Sequence, residues 1–382
     1  MAKDIFILSA KRTPIGSFNG ALSSYTAPQL GSKAISAAVE AAGVKPEDIN
    51  EVVMGNVVGA GIGQAPARQA MIGAGLPNST GATTVNKVCG SGMKAIMMGC
   101  QSILLGDSDV VVAGGMESMS KTPFLLEKAR GGYRLGHGKL IDSVIHDGLW
   151  DPYGDVHMGI CGEKCAEEKE IPREAQDDYA LESYARAKKA QEDGAFAGEM
   201  AEVDGISEDE EPGKAKLEKL KRIRSAFKKD GTITAANASK LNDGAAALVI
   251  ASSDKVQDHT PLAKIVGWAT FSQEPEWFTT APAGAIKKLL EKVGWNKDEV
   301  DAYEINEAFS VVSLAVAKDV GLDLKKININ GGAVALGHPI GASGARIVAT
   351  LVHAMVKRDL KKGVAAICLG GGEAVAVAIE RP

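Results

Sequence analysis

The sequence predicts an α/β fold, because short apolar runs rich in Val and Ile alternate with longer segments of helical period. The alternation occurs twice, before about residue 118 and after about residue 260, which indicates an internal duplication. Between the halves, from about 118 to 236, Gly, charged residues and scattered aromatics replace the apolar pattern, as expected of an inserted loop domain. We therefore predict an N-terminal half over residues 1–253, including the insertion, and a C-terminal half over residues 261–382.

The apolar runs define the expected strands and helices of each half. In the first half, the pattern predicts strands at 4–10, 51–58, 82–88 and 109–115, and helices at 26–44 and 90–106. In the second half, it predicts strands at 262–270, 301–307, 326–334 and 364–380, and helices at 283–295, 308–321 and 341–358. Helices that alternate with buried strands are typical of β-α units.

Charge and hydropathy exclude several classes of function. The net charge is −5 and the sequence pI is near 5.8, so the chain lacks the basic surface that nucleic-acid binding requires. No run is predicted to reach the length of a membrane span, and the first residues do not resemble a targeting leader. We therefore expect no nucleic-acid partner, no membrane association and a cytoplasmic location.

Five cysteines in a long chain without a secretory signal indicate free thiols. Cys161 and Cys165 lie four residues apart and could be two metal ligands on one helix face. No neighbouring His or Cys pair completes a tetrahedral site, so the pattern favours small packed residues, and the same holds for Cys100. We expect no metal.

A basic segment ends the predicted insertion. Residues 214–229 contain eight Lys or Arg among sixteen positions and follow the acidic run SEDEE. Such a run is usually the solvated face of a helix. The alternative is a local patch that attracts phosphate groups on an otherwise acidic protein.

Cys89 lies between a predicted strand and a predicted helix, in the sequence VCGSG. A thiol at the first turn of a helix is near unpaired N–H groups and the positive end of the helix dipole, which favour the thiolate. The flanking Gly90 and Gly92 allow a substrate to approach the main chain, so backbone N–H groups could face a developing oxyanion. A buried structural cysteine is the alternative.

Three further residues lie at similar junctions. His338 stands in the glycine-rich sequence GHPIGASG, where Pro339 keeps it out of a helix and favours a role as a base. Cys368 ends an apolar strand before three glycines, and Asn306 follows another strand, where an amide could serve an oxyanion or cap a helix. Two thiols, an imidazole and an amide suit a reaction that has both a nucleophile and a carbon acid to deprotonate.

These motifs together resemble the thiolase family, from SAKRTPIGSFNG near the N-terminus through NASKLNDGAAA, NEAF and GHPIGASGAR to CLGGG. The resemblance is strongest to the biosynthetic branch, which condenses two acetyl-CoA molecules to acetoacetyl-CoA. It implies two duplicated, mainly parallel halves in a five-layer α-β-α-β-α fold with an inserted loop domain. It also implies a homotetramer, built as a dimer of dimers, whose tetramerisation loop corresponds to residues 125–143.

The resemblance also implies a role for each chemical group. Cys89 would accept the acetyl group, His338 would activate that thiol, and Cys368 would deprotonate the second acetyl-CoA. Asn306, through a water, would hold the enolate oxygen with His338, and the N–H groups of Cys89 and Gly370 would form a second oxyanion hole. CoA would be the carrier of the substrates, and no metal or redox cofactor is implied.

The same comparison implies a set of CoA contacts, at Leu149, His157, Met158, Phe227, Ala235, Ser239, Leu241, Phe278, Ala308 and Phe309. Phe278 occupies a place where many biosynthetic members have Met, so branched substrates are also considered. Glu373, directly after the glycines that follow Cys368, departs from the family pattern, and the sequence suggests no role for it.

Two alternatives remain at this stage. One is a degradative 3-ketoacyl-CoA thiolase of broader chain length. The other is a non-catalytic acyl-CoA binding relative, although a binder would not require both Cys89 and Cys368.

Overall fold

A mixed β-sheet runs through both halves of the chain. The computed structural model describes residues 3–215, 220, 222–257 and 259–382. The strands are β1 Ile5–Arg12, β2 Gly16–Ser17, β3 Glu51–Gly55, β4 Gly81–Val85, β5 Val110–Ser118, β6 Phe124–Leu125, β7 Ile141–Asp142, β8 Trp150–Asp151, β9 Val156–His157, β10 Asn242–Ser252, β11 Ala263–Ser272, β12 Ala302–Ile305, β13 Lys362–Leu369 and β14 Glu373–Glu380. The helices are α1 Ala27–Ala42, α2 Pro66–Gly73, α3 Ser91–Leu105, α4 Met158–Glu168, α5 Arg173–Glu192, α6 Glu210–Lys214, α7 Ala281–Val293, α8 Ser310–Val320, α9 Ala333–Leu336 and α10 Ile340–Arg358.

The strand order repeats between the halves, as the predicted duplication requires. The first half has the order β4-β3-β5-β10-β1, and the second has β12-β13-β14-β11. In each half a parallel pair, β3 with β5 or β12 with β13, is followed by antiparallel pairs. These two sets of strands are called the first and the second sheet below, although Ile5, Phe6 and Ile7 of β1 pair with β11 and join them edge to edge.

The expectation of mainly parallel strands is wrong, because antiparallel pairs join β1 to β10 and β11, β5 to β10, and β14 to β11 and β13. The reason is the length of the connections. A parallel neighbour needs a long crossover, which a helix supplies between β3 and β4, whereas β13 and β14 are joined by the short turn at 370–372.

The helices complete the five layers that the resemblance implies. Helices α1 and α2 cover the outer face of the first half, and α7 and α8 cover that of the second. Helices α3 and α10 lie between the two sheets and contact strands of both. Side chains alternate accordingly, since Val112 joins the outer core of the first half while Val111 and Ala113 join the central core.

The central position of α3 corrects one prediction from hydropathy. Residues Val88–Leu105 form a stretch of 18 residues with a mean hydropathy of 1.3, which is sufficient in length and composition for a membrane span. The expectation that no run reaches this length is therefore wrong. The structure packs α3 between the two sheets, with Met93, Ile96 and Cys100 fully buried, which accounts for its apolar composition.

Three elements differ from the predicted pattern. The single strand predicted at 364–380 is two antiparallel strands, β13 and β14, because the chain turns at 370–372, where Gly371 and Gly372 have positive φ. Residues 326–334 are not a strand, because only Ile327 pairs with β12, after which the chain turns at Gly331 and enters α9. Strand β10 was not predicted, although it is buried along its whole length. It begins with Asn, Asp and Gly and continues with three alanines, which have low strand propensity.

The segment between β5 and β10 is tied to the sheet by charge. Buried Arg12 of β1 donates to both carboxylate oxygens of Asp209, at 2.6 and 2.8 Å, and to Glu199 at 2.5 Å. Of the basic segment, residues 216–219 and 221 lie outside the described residues. Lys214 pairs with Glu210, so the phosphate-attracting patch stays a prediction.

Helices α3 and α10 approach each other closely, because two glycines face the partner backbone. A Cβ added at Gly92 would lie 2.8 Å from the backbone N of Ala345. A Cβ added at Gly344 would lie 2.5 Å from the backbone N of Met93. Real Cβ atoms do not approach backbone atoms so closely, so any larger residue would push the helices apart.

We expect Gly92→Ala and Gly344→Ala each to lower the free energy of unfolding by about 1–3 kcal/mol through this overpacking. Thermal unfolding followed by circular dichroism measures the effect. Gly131→Ala is the control, since its Cβ would meet nothing within 4 Å. Equal midpoints for all three variants would show that the helices can separate at no cost.

Candidate active site

Cys89 is held in a strained turn immediately before α3. Val88 has a φ of 47°, a left-handed conformation that is unfavourable for a β-branched residue. Side chains fix this turn: the N–H of Val88 donates to Asn86 Oδ1 at 3.0 Å, and the Ser91 hydroxyl donates to the Val88 carbonyl at 2.6 Å. The N–H of Lys87 donates to the same hydroxyl oxygen at 2.8 Å. These hydrogen bonds hold the strained turn in place, and they therefore fix the position of the thiol.

The charge state of Cys89 differs from the prediction. Burial raises the pKa of this thiol to about 12, and the nearby carboxylate of Glu117 acts in the same direction. The backbone N–H groups of Cys89 and Gly370 lower the pKa, but burial has the larger effect. The expected net stabilisation of the thiolate is therefore wrong, and the thiol needs a base. The N–H of Gly370, which comes from the other half of the chain, lies close enough to the Cys89 sulfur to lower its pKa, and the oxyanion hole stays a prediction.

His338 has the geometry of such a base. Its Nδ1 lies 2.6 Å from Ser343 Oγ, whose hydroxyl donates to the Pro339 carbonyl at 2.9 Å. Since that hydroxyl proton is already engaged, Nδ1–H must be the donor, and this leaves a lone pair on Nε2. Nε2 is buried and has no hydrogen-bond partner within the described residues. Burial lowers the pKa of His338 to about 3, and Arg346 adds to this effect, so the ring is neutral at physiological pH.

The backbone around His338 is fixed by Asn242 of β10. Asn242 Oδ1 accepts from the N–H of His338 at 2.9 Å, and Asn242 Nδ2 donates to the Gly16 carbonyl at 2.9 Å. Gly337 has a φ of 111°, and a Cβ there would lie 2.5 Å from the Asn242 amide. Only glycine satisfies both the conformation and the contact.

Asn306 directs an unpaired amide into the interior. Its backbone N–H donates to the Ala366 carbonyl at 3.0 Å, which fixes it at the end of β12. Both polar atoms of its side chain are buried without a hydrogen-bond partner in the described part of the chain. The alternative role as a helix cap is wrong, because α8 begins four residues later, at Ser310. A buried unpaired amide indicates a site for a ligand or a water.

Cys368 is the second thiol of the site and is fully buried, whereas Cys89 is only partly buried. It lies in β13 opposite Ala374 of β14 and is 1% exposed. Burial raises the pKa of Cys368 well above its usual value, and the proximity of Cys89 raises it further. The turn that follows carries Gly370, whose N–H faces the Cys89 sulfur. The structure therefore brings the two predicted thiols together.

A cavity of about 590 Å³ opens beside His338. Eight of the ten predicted CoA contacts line it, namely Leu149, His157, Met158, Phe227, Ala235, Ser239, Leu241 and Phe309. Its wall is aromatic, since the rings of His157 and Phe227 stack at 4.7 Å and Phe309 meets Phe227 edge-on at 5.9 Å. Apolar walls with few polar groups are typical of small-molecule sites.

The other two predicted contacts do not line this cavity. Phe278 is 2% exposed and lies behind Phe309, with the ring centroids 6.5 Å apart. Ala308 is also buried, and its carbonyl accepts from the N–H of Ser239 at 3.0 Å. Phe278 and Ala308 therefore support residues that line the wall, and neither is exposed in the cavity as a direct CoA contact would require.

Sequence reasoning missed several residues around the site. Lys214 and Lys240 line the cavity, although both stand in segments that the sequence analysis singled out. Lys240 Nζ donates to the Val334 carbonyl at 2.9 Å and contacts the Tyr184 hydroxyl, and burial lowers its pKa. The sequence signal that could have identified Lys240 is its position in NASKLNDG, between the predicted contacts Ser239 and Leu241.

Glu117 is a second omission. This buried carboxylate of β5 accepts from Asn56 Nδ2 at 2.8 Å, from the N–H of Val57 at 3.0 Å and from the N–H of Gly341 at 2.9 Å. It therefore joins β5 to the loop after β3 and to the first turn of α10. No sequence signal could assign this role, because its partners are distant in the chain. Among the described residues, no cluster of three or more His, Cys, Asp or Glu side chains could hold a metal ion.

Alkylation of Cys89 by iodoacetamide tests the proposed state of the base. Because His338 is neutral and the thiol is protonated, we expect a rate that is nearly constant from pH 6 to 8. His338→Ala should lower the rate by about 100-fold or more. Ser343→Ala, which removes one hydrogen bond to Nδ1, should lower it by about three- to tenfold. A wild-type rate that rises tenfold per pH unit and is insensitive to His338→Ala would instead indicate direct attack by the thiolate.

Comparisons with known proteins agree with this geometry. The thiolase N-terminal domain matches residues 5–254, and the thiolase C-terminal domain matches residues 259–381. Acetyl-CoA acetyltransferase 2 of Arabidopsis thaliana is 53% identical over 99% of this chain and 97% of its own. The acetyl-CoA acetyltransferase of Schizosaccharomyces pombe is 51% identical over 99% of both chains. A cytosolic acetyl-CoA acetyltransferase of Gibberella zeae is 51% identical over 98% of both.

Solved structures of related proteins match the fold of this chain over its whole length. The Acat5 thiolase of Ascaris suum in complex with coenzyme A has a TM-score of 0.96 and 48% identity, with 100% of both chains covered. The human mitochondrial 3-ketoacyl-CoA thiolase in complex with CoA has a TM-score of 0.97 and 41% identity, covering 100% of this chain and 98% of its own. The acetyl-CoA acetyltransferase of Bacillus anthracis has a TM-score of 0.97 and 42% identity over 100% and 99%. Sequence, fold and site geometry together establish that the chain belongs to the thiolase family.

Proposed function

We propose that this chain is an acetyl-CoA C-acetyltransferase, which condenses two acetyl-CoA molecules to acetoacetyl-CoA and CoA and catalyses the reverse thiolysis. The observation that carries the proposal is the unpaired Nε2 of neutral His338, at the wall of a cavity that eight of the predicted CoA contacts line. The two relatives from Arabidopsis and Schizosaccharomyces, at 53% and 51% identity, support this chemistry over other thiolase reactions.

The first half-reaction uses Cys89 and His338. The thiol proton moves to Nε2 of His338 as the sulfur attacks the carbonyl carbon of acetyl-CoA. The N–H groups of Cys89 and Gly370 stabilise the oxyanion. The C–S bond to CoA then breaks, and the CoA sulfur takes the proton from Nε2. Acetyl-Cys89 and free CoA are the products.

The second half-reaction uses Cys368 as the base. Its thiol proton moves to Nε2 of His338, and the resulting thiolate takes a proton from the methyl group of a second acetyl-CoA. The enolate oxygen is held by the new Nε2–H and, through a water, by the unpaired amide of Asn306. The enolate carbon attacks acetyl-Cys89, and the departing Cys89 sulfur recovers the proton from Nε2. All groups return to their starting states.

The cavity supports the binding of the CoA arm beside these groups. Its apolar lining suits the pantetheine chain, and the stacked rings of His157 and Phe227 border it. Lys214, at the wall of the same cavity, could contact the phosphate groups of CoA if it exchanged its ion pair with Glu210 for them. CoA acts as a carrier of the acetyl group, and the proposed steps use no metal or redox cofactor.

A degradative 3-ketoacyl-CoA thiolase is the second candidate. The human mitochondrial 3-ketoacyl-CoA thiolase, at 41% identity and a TM-score of 0.97, supports it. The higher identity to acetyl-CoA acetyltransferases favours the short-chain enzyme. A non-catalytic binding protein is disfavoured, since mere binding would not select two neighbouring thiols and an unpaired imidazole.

Thiolysis of acetoacetyl-CoA by free CoA, compared with that of a long-chain 3-ketoacyl-CoA, distinguishes the candidates. We expect rapid cleavage of acetoacetyl-CoA and at least about 100-fold slower cleavage of the long chain, with no activity in Cys89→Ala. Comparable rates on both substrates would favour the degradative enzyme. Binding of CoA without turnover of either substrate would favour the non-catalytic relative.

Cys368→Ala separates the two half-reactions. Mass spectrometry should find Cys89 acetylated by acetyl-CoA in this variant, because the first half-reaction does not use Cys368. Condensation should fall by at least about 1,000-fold, because the carbon base is missing. Loss of the acetyl-enzyme together with condensation would assign Cys368 to the first step instead.

We also infer a cytoplasmic homotetramer, a dimer of dimers. The cytosolic name of the Gibberella zeae relative supports the location. Strand β4 lies at the end of the sheet, where an edge strand is open to pairing with a second copy. The segment 124–153 exposes large apolar side chains, including Leu135 at 100%, Tyr153 at 73% and Leu140 at 63%. Such a group of side chains is typical of an interface.

Light scattering after size exclusion tests the tetramer. We expect the double variant Leu135→Glu/Leu140→Glu to be a dimer, because charge at the loop opposes burial while the β4 edge is unchanged. Leu324→Glu, at a position that is 39% exposed outside this segment, should stay tetrameric. A tetramer in both variants would exclude the loop from the interface.

A further inference from the structure

The two N–H donors of the proposed oxyanion hole come from opposite halves of the chain. One is the N–H of Cys89, in the turn before α3 of the first half, and the other is the N–H of Gly370, in the turn between β13 and β14 of the second. Their separation therefore depends on how these two turns are held against each other. An oxyanion hole is effective only when its donors keep this distance closely.

An ion pair joins the same two turns. Lys87, two residues before Cys89, pairs with Glu373, three residues after Gly370. The side chains are 22% and 31% exposed, so the pair is largely shielded from solvent. Glu373 is the residue that departs from the thiolase pattern, and this contact accounts for it.

Both ends of the ion pair are anchored to the backbone. The N–H of Lys87 donates to Ser91 Oγ at 2.8 Å, and its carbonyl accepts from the N–H of Gly90 at 3.0 Å. Glu373 is the first residue of β14 and pairs with Leu369 of β13 on one side and Ser272 of β11 on the other. Neither end can shift without disturbing hydrogen bonds, so the ion pair transmits position from one turn to the other.

The remaining contact between the turns is apolar. The α-carbon of Gly90 faces Leu369 and Val375, to which an added Cβ would lie at 2.6 and 3.2 Å. A Cβ added at Gly370 would lie 3.7 Å from Val88. Such contacts fill space but have no directional preference, whereas an ion pair between anchored ends favours one relative position.

We propose that Lys87 and Glu373 form a positioning clamp that sets the distance between the N–H groups of Cys89 and Gly370. The inference rests on the proposed function, because it concerns the oxyanion of that reaction. A single ion pair whose side chains remain 22% and 31% exposed contributes little to global stability, commonly less than about 1 kcal/mol. A small displacement of an oxyanion donor can cost far more in rate. The clamp therefore affects turnover rather than folding.

Charge reversal provides the test. We expect Glu373→Gln and Lys87→Met each to lower kcat for acetoacetyl-CoA thiolysis by about tenfold, while KM and the thermal midpoint change little. The double variant Lys87→Glu/Glu373→Lys restores the pair with reversed polarity and should recover most of the loss. Asp319→Asn is the matched control, since it breaks a similarly shielded ion pair, with Lys169 at 2.8 Å and exposures of 29% and 23%, away from the site.

A second readout separates the clamp from the proposed function. Acetylation of Cys89 by a simple acetyl thioester, followed by mass spectrometry, also forms the oxyanion but requires neither CoA binding nor condensation. If the wild-type chain is acetylated but does not cleave acetoacetyl-CoA, the proposed function fails and the acetylation rates still test the clamp. Single variants that match the wild type in both assays, or a double variant as slow as the singles combined, would overturn the clamp.

Discussion

The close approach of helices α3 and α10 is the constraint on which the site depends. Both helices lie between the two sheets, and each begins at the site, α3 directly after Cys89 and α10 directly after His338. Gly92 and Gly344 face the partner backbone and allow this approach. Nucleophile and base come from different halves of a duplicated chain, and the packing of these two helices brings the halves into register.

Burial between the layers then determines the chemistry. It raises the pKa of both thiols and lowers that of His338, so every reacting group rests in its neutral form. The helix dipole and two N–H groups act against this at Cys89, but a dipole is worth at most about 2 kcal/mol, less than the cost of an isolated buried charge. A thiolate therefore forms only when its proton can move to Nε2 of His338. Activation of the thiol consequently depends on where the imidazole is held.

Local chemistry could be predicted from the sequence, whereas effects of burial and distant contacts could not. Cys89, His338, Cys368 and Asn306 stand in turns marked by glycines or strand ends, and the structure brings their motifs together. The protonation state of Cys89 was predicted wrongly because solvent exclusion is a property of the assembled layers. Glu117 could not be found, since its hydrogen-bond partners lie in two segments that are distant from it in the chain, at residues 56–58 and at Gly341. Strand β10 was missed because its alanines are favoured there only by complete burial.

Glu373 is likewise explained by a contact between residues that are distant in the sequence. A carboxylate that is only 31% exposed, in the turn after Cys368, is unfavourable when it is unpaired, because it has lost part of its hydration. Lys87, in the opposite turn, neutralises it, and the pair is formed by residues that lie far apart in the sequence. Where a charged residue departs from the family pattern beside the site, we expect a partner of opposite charge, as Lys87 is here, rather than a new activity. Because that partner is anchored two residues before the nucleophile, compensation of charge and positioning of the oxyanion hole become one interaction.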